Sequence, residues 1–305
     1  MYAPDPTLGW RNRPGEYDYP AYEPDAPRIH ATYLADGSRR TTPRELQADV
    51  RVAFVGASFT QGWGLSDGDT MAWKVQARWH DVRVVNYGTA GYGTYQSLGL
   101  LEEVLGAPDA PRVVLYGLEP MHEQRNVASA EWLRGLALGS RSGQAALPFV
   151  TLDAAGRLVE HQPTRYPAWP LRTLLASVAF AEDLFVRARA AERTAQATKV
   201  TLELIAAMDR LCAQHGARLV VVFLWSPPGA RVAYRIHDFD SFRTFDGVRY
   251  QAFLEARRIP YVDCSHEITP DLVIPGDGHP NARLNDWWAR CIVEKITIHR
   301  PEPRR

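Results

Sequence analysis

Ser58, Asp277 and His279 are the residues whose types and setting suit nucleophilic chemistry. Ser58 sits in Gly56-Ala-Ser58-Phe-Thr60-Gln-Gly62-Trp-Gly64, directly after the apolar run Val52 to Val55. A serine in a glycine-flanked turn at a strand end exposes its hydroxyl above a sheet, where backbone N–H groups also point. The same pattern also serves as an ordinary helix cap. A hydroxyl needs a general base to become a nucleophile, and the base needs a group that fixes its tautomer and stabilises its cation. His279 follows Asp277 by two residues in Gly276-Asp277-Gly-His279-Pro-Asn281. In an extended segment, side chains at i and i+2 project to the same side, so the carboxylate can take Nδ1 while Nε2 faces the serine. Pro280 favours an extended conformation at His279, and Asn281 can cap the helix that follows. Asp263 and Glu267 are the alternative orienting acids.

Such groups must be held by a scaffold, and the sequence suggests which. Apolar runs at Val52 to Val55, Val82 to Val85, Val113 to Tyr116, Leu219 to Trp225 and Ile259 to Val262 read as buried parallel strands. Helical spacing links Val200, Leu204, Ile205, Met208, Leu211 and Cys212, and again Leu284, Trp288, Ile292 and Ile296. Strands alternating with amphipathic helices predict β-α-β crossovers, hence a three-layer α/β/α architecture with a parallel sheet. Ligands then bind beyond the carboxyl ends of the strands, where Ser58 stands. Residues 1–50 lack a sustained period and are expected to form an arm packing on the core. Residues 51–305 form the domain, with an insertion at about 119–195. Inside it, Phe149-Val-Thr-Leu-Asp and Arg157-Leu-Val-Glu-His flank Ala-Ala-Gly as a β-hairpin.

Composition excludes several functions. The 305 residues are 46% hydrophobic and 23% charged, with 35 basic side chains balancing 35 acidic ones, so neither a nucleic acid nor an anionic membrane is an expected partner. Arg dominates the bases, Lys occurring only at 74, 199 and 295, which reads as coding bias. Cys212, Cys264 and Cys291 are an odd number at wide spacings, which argues against a disulfide framework and against zinc. His30, His80, His161, His215, His237, His266 and His299 show no metal-ligand spacing, so no metal is expected. No apolar run approaches the roughly 18 to 20 residues of a membrane span, and no cleavable signal follows Met1. The chain as given is expected to be soluble, with any anchor lying upstream of Tyr2 in a precursor.

Taken together, the blocks resemble the SGNH, or GDSL-type, hydrolase family. Gly56-Ala-Ser58-Phe-Thr60-Gln-Gly62 is similar to its first block, Asn86-Tyr-Gly88-Thr-Ala-Gly91 to its second, and Asp277, His279, Pro280 and Asn281 to its last. The resemblance spans residues 51–297. It implies a flavodoxin-like sheet of about five parallel strands, with Ser58 as nucleophile, His279 as general base and Asp277 as orienting acid. The backbone N–H groups of Ser58 and Gly91 are the implied oxyanion donors. Three departures stand out. Ala57 replaces the usual Asp, and the Asp-x-His spacing is one residue shorter than the common form. The strand-three loop, Met121-His122-Glu-Gln-Arg125-Asn126, lacks the usual Asn donor at its expected place. His122 is the best substitute by position, with Asn126 or Arg125 as alternatives. A lost oxyanion donor costs on the order of 100 to 1,000-fold in turnover.

The function implied is that of a cofactor-independent serine esterase acting on a small acyl ester, such as an O-acetyl group on a carbohydrate. Trp63, Tyr92 and Tyr95 are candidates for a sugar platform. Activity is expected to rise with pH through a histidine titration at about 6 to 7. Two alternatives use the same scaffold: an O-acyltransferase with the same triad, and a non-catalytic glycan-binding module on a decayed hydrolase. The resemblance also suggests the exported portion of a bacterial protein.

Overall fold

A computed structural model describes the chain except for residues 23–25, 45, 140–144, 227–244 and 299–305, so His237 and His299 lie outside the described residues. The arm is made of two antiparallel hairpins, β1 (Tyr2–Asp5) with β2 (Gly9–Asn12), and β3 (Gly15–Tyr19) with β4 (Ile29–Tyr33). The first turn follows from its residues, because the Asp5 carboxylate accepts the N–H groups of Thr7 and Leu8. Beyond β4, Arg39 bridges to Asn86 and so covers an edge that the sheet would otherwise expose.

The core begins at β5 (Arg51–Gly56), which is buried along its whole length, as only a strand covered on both faces can be. It is followed by α1 (Ser58–Gln61), α2 (Met71–Gln76), β6 (Arg83–Asn86), α3 (Thr94–Gly106) and β7 (Val113–Leu118). The long excursion then holds α4 (His122–Asn126), α5 (Ala130–Gly139), the hairpin β8 (Leu147–Leu152) with β9 (Leu158–Thr164), α6 (Ala176–Ala195) and α7 (Ala197–Gln214). The hairpin expected from Phe149 onward is present and begins two residues earlier. The chain closes with β10 (Arg218–Phe223), α8 (Gly247–Arg257), β11 (Tyr261–Asp263) and α9 (Ala282–Lys295).

The five core strands are parallel and lie in the order β6-β5-β7-β10-β11. Counted along the chain this is 2-1-3-4-5, the flavodoxin-like order. Alternate residues face opposite layers. Val52, Phe54, Leu115, Val220 and Val222 join one cluster with Trp288 and Ile292 of α9, while Ala53, Val55, Val114, Tyr116 and Phe223 join another with Ile205 and Met208 of α7. From β5 the chain moves outward to β6, then crosses back to β7. The connections therefore diverge between the carboxyl ends of β5 and β7, which opens a crevice there.

The cysteine expectation is corrected. Cys264, just past β11, is bonded to Cys291 of α9, with Cα atoms 5.9 Å apart, and Cys212 is free and buried. Their separation of 27 residues carries no sequence signature; the fold alone brings them together. Among the described residues, no helix is long and apolar enough to cross a membrane.

Candidate active site

Ser58 opens α1 at the carboxyl end of β5. The turn before it depends on Gly56, whose φ of +151° is unsuited to an L side chain. A Cβ there would also come within 2.4 Å of Thr60 Oγ1 and 2.9 Å of the Gly117 carbonyl oxygen. Ser58 is 2% exposed, and its Oγ has no hydrogen-bond partner among the described residues. Asn86 braces the same turn, donating from Nδ2 to the Thr60 carbonyl at 2.9 Å while its Oδ1 accepts the Gly88 N–H.

Asp277 and His279 are paired at 2.7 Å between Oδ2 and Nδ1, and the same oxygen accepts the His279 N–H at 3.2 Å. The loop that holds them is closed by backbone bonds between Ile274 and Gly278 and between Ile274 and His279. Asn281 ends the loop by capping α9, accepting from the N–H groups of Arg283 and Leu284. The alternative acid Asp263 instead accepts from Gln251 and the Ser265 N–H. Nδ1 therefore carries the proton toward Asp277, leaving the Nε2 lone pair free to act as a base. Burial alone would push the Asp277 carboxyl up. The bond and charge of His279, with the Tyr22 hydroxyl, outweigh it and hold the carboxyl below its usual range. The imidazole stands edge-on to Phe59, the neighbour of Ser58, with ring centroids 6.0 Å apart, and 6.0 Å from the Trp63 ring.

The expected oxyanion residues fare differently. Gly91 has φ +82° and is closely approached by Trp10 and Trp132, at 2.9 and 3.3 Å from where a Cβ would stand. His122 is fully buried, stacked on Tyr116, with Nδ1 2.6 Å from the Tyr116 hydroxyl. The Glu119 N–H also donates to Nδ1, at 3.5 Å, so Nδ1 is an acceptor and Nε2 carries the proton. Burial, and then the Arg125 charge, hold His122 well below the usual histidine range, so it stays neutral. Its Nε2 has no partner among the described residues.

Asn126 is not available as a donor. Its Nδ2 gives to Thr94 and Thr201 at 3.0 and 2.8 Å, and its Oδ1 accepts the Tyr95 N–H at 3.0 Å. Arg125 donates to the Tyr92 carbonyl at 2.9 Å and lies over Trp132. Tyr92 is not a platform either, because it is 1% exposed and donates its hydroxyl to the Trp10 carbonyl under the arm. Tyr95 packs toward the β8–β9 hairpin. Trp63 does line the site, although Tyr2 covers one face of its indole, with ring centroids 6.5 Å apart.

Glu119 escaped the sequence reading. It is fully buried, accepts the Phe59 N–H on Oε1 at 3.0 Å, and lies 3.9 Å from Arg125 through Oε2. Burial pushes its carboxyl up to about 7, against the pull of Arg125 and the N–H groups of Phe59 and Thr60. A signal was present: Gly56 and Gly117 pair in register, so Gly56-Ala-Ser58 and Gly117-Leu-Glu119 end their strands at the same level. Among the described residues, no group of three or more His, Cys, Asp or Glu is placed to hold a metal.

No family model matches the sequence, and no curated protein matches it. Three solved structures illustrate what the chain is similar to. One is a member of the lipolytic G-D-S-L family from Veillonella parvula, at 12% identity, covering 81% of this chain and 98% of that one with a TM-score of 0.45. Another is a psychrotrophic esterase from Pseudoalteromonas, inhibited by monoethylphosphonate, at 12% identity, 81% and 96% coverage and a TM-score of 0.46. The third is a variant of an acetyl-xylooligosaccharide esterase from Geobacillus, at 13% identity, 86% and 100% coverage and a TM-score of 0.44.

Proposed function

We propose that the chain is a serine esterase that hydrolyses small acyl esters, with Ser58 as nucleophile, His279 as general base and Asp277 as orienting acid. The observation that carries this reading is the Asp277–His279 pair at 2.7 Å, with the imidazole against the residue that follows Ser58. Ser58 Oγ attacks the ester carbonyl while His279 Nε2 takes its proton, and the carbonyl electron pair moves onto oxygen. Catalytic hydrogen bonds of this kind often tighten only when substrate binds, which suits a Ser58 hydroxyl that is unpartnered here. The oxyanion is met by the N–H groups of Ser58 and Gly91 and by His122 Nε2–H, a neutral donor whose tautomer is set from behind. Imidazolium then protonates the leaving alkoxide as its bond to the carbonyl carbon breaks. Water, deprotonated by the same base, then bonds to the acyl carbon, and the Ser58 Oγ–acyl bond breaks as the imidazolium returns its proton to Oγ, releasing the acid.

Crowding of Gly91 by Trp10 and Trp132 favours a short acyl group. The aromatic rim of Trp63 and Tyr22 suits a ring-bearing alcohol. An O-acetyl group on a carbohydrate combines both features, and is the substrate class we assign.

Labelling with a fluorophosphonate and hydrolysis of p-nitrophenyl acetate test the reading. The parent chain should label and turn over, whereas Ser58→Ala should not label and His279→Ala should lose about 10⁴-fold in kcat or more. A parent that binds glycan yet neither labels nor hydrolyses would favour the binding module. Transfer of acetyl to an added glycan in preference to water would favour the acyltransferase.

A further inference from the structure

We propose that the N-terminal arm is part of this active site, and that Tyr22 is a positioning residue acting on Asp277 and, through it, on His279. The inference rests on the esterase reading and adds to it a residue some 250 positions from the triad loop that the first-block resemblance does not include.

The Asp277 carboxylate has two oxygens with separate duties. Oδ2 holds His279, accepting both Nδ1–H and the backbone N–H. Oδ1 accepts the Trp63 Nε1–H at 3.4 Å. The same indole N–H donates at 2.9 Å to the Tyr22 hydroxyl oxygen, which sets that hydroxyl beside the carboxylate and leaves its O–H to donate to Asp277, helping to hold the carboxyl below its usual range. Trp63, Tyr22 and His279 thus place three side-chain donors on one carboxylate, and one of the three belongs to the arm. Tyr22 also lies over Gly64, where a Cβ would stand 3.4 Å from its ring and 4.0 Å from Asp277 Oδ2. Tyr2 stacks on the other side of this arrangement, on the Trp63 indole, and its hydroxyl donates to Gln61 Oε1.

Each donor disperses negative charge on the carboxylate. A carboxylate that keeps more of its charge holds an imidazolium proton more tightly, which makes the base harder to discharge. Among the described residues, the titratable groups facing Asp277 are His279 on its own loop and Tyr19 and Tyr22 on the arm. Of the described arm residues, Tyr22 is the one whose hydroxyl is directed to it.

Tyr22→Phe keeps the ring and removes the donor. We expect kcat for p-nitrophenyl acetate to fall about 3- to 10-fold with KM little changed. The acidic limb of the pH profile should move upward by about half a unit, since the base is more readily protonated. Carbon-detected NMR of Asp277 gives a readout independent of turnover: its carboxyl should titrate higher in the variant. Trp63→Phe should act on the same carboxylate, so the double variant should lose less than the product of the single losses. An active parent whose pH limb and Asp277 titration are both unmoved by Tyr22→Phe overturns the proposal, as does a lower kcat with no movement of either. A parent without Ser58-dependent labelling overturns the esterase reading and the positioning role of Tyr22 together, even if Asp277 still titrates higher in the variant.

Discussion

Glu119 is a carboxyl group where the physics would rather have none. It is fully buried, and its nearest cation, Arg125, stands 3.9 Å away. What fixes it there is the N-terminus of α1, whose Phe59 N–H it accepts, so it clamps the turn that presents Ser58. Its carboxyl keeps a proton up to about 7 in the folded chain, against an ordinary 4.5. The stability contributed by the neutral acid is therefore fully present below about pH 4.5 and is lost as pH rises to about 7. Glu119→Gln imitates the neutral acid at every pH and keeps an acceptor for Phe59. Urea unfolding of both chains at pH 5 and pH 8 should show the parent losing on the order of 2 kcal/mol more than the variant across that interval. Opposite trends from Asp277 and Asp36, whose carboxyls are held below their usual range, cancel in the difference. Parallel pH dependences would mean that Glu119 is ionised throughout.

The secondary-structure elements differ in how plainly their residues announce them. The three central strands β5, β7 and β10 were legible because they are covered on both sides and so read as apolar runs, and the edge strands β6 and β11 showed through shorter runs around Val84 and Val262. Helices α7 and α9 were legible from one apolar stripe each, such as Leu284, Trp288 and Ile292. The four arm strands were not, since each has only four or five residues of mixed polarity, and each is held by a neighbouring chain segment rather than by a period of its own. The same limit hid Arg39. This 1%-exposed side chain leaves the arm to donate to Asp67 at 3.0 Å and to the carbonyls of Gln61 and Gly62 at 3.0 and 2.6 Å, tying down the end of α1. Nothing in its local sequence says that the carbonyls it satisfies lie more than twenty residues away. Arg39→Met should cost about 3 kcal/mol or more in chemical unfolding, because it strands Asp67 as a buried charge. Adding Asp67→Asn should recover part of that loss. If Arg39→Met alone is neutral, the arm is a cover rather than a brace.

Across the whole chain, the proposed triad is divided between the first core strand and a loop near the C-terminus, and one covalent bond governs the second part. Asp277 and His279 both lie inside the ring closed by Cys264 and Cys291, whose ends are the last core strand and the helix that Asn281 caps. The sequence disclosed the Asp-x-His pattern but not this ring, because three widely spaced cysteines imply no pairing until β11 and α9 are packed side by side. Closing a 27-residue loop in the unfolded chain is worth roughly 3 to 4 kcal/mol in the entropic account. For a chain of this size that corresponds to a shift of roughly 5 °C or more in Tm. Bonds of this kind persist in oxidising surroundings, so protein prepared without reductant and then unfolded should titrate one thiol, Cys212, and three after reduction. Cys264→Ser/Cys291→Ser should melt lower by a similar amount. It should also lose esterase turnover at temperatures where Ser58, anchored on β5 and α1, still sits in folded structure. Three titratable thiols before reduction, with a Tm indifferent to reductant, would show that packing alone holds the triad loop in place.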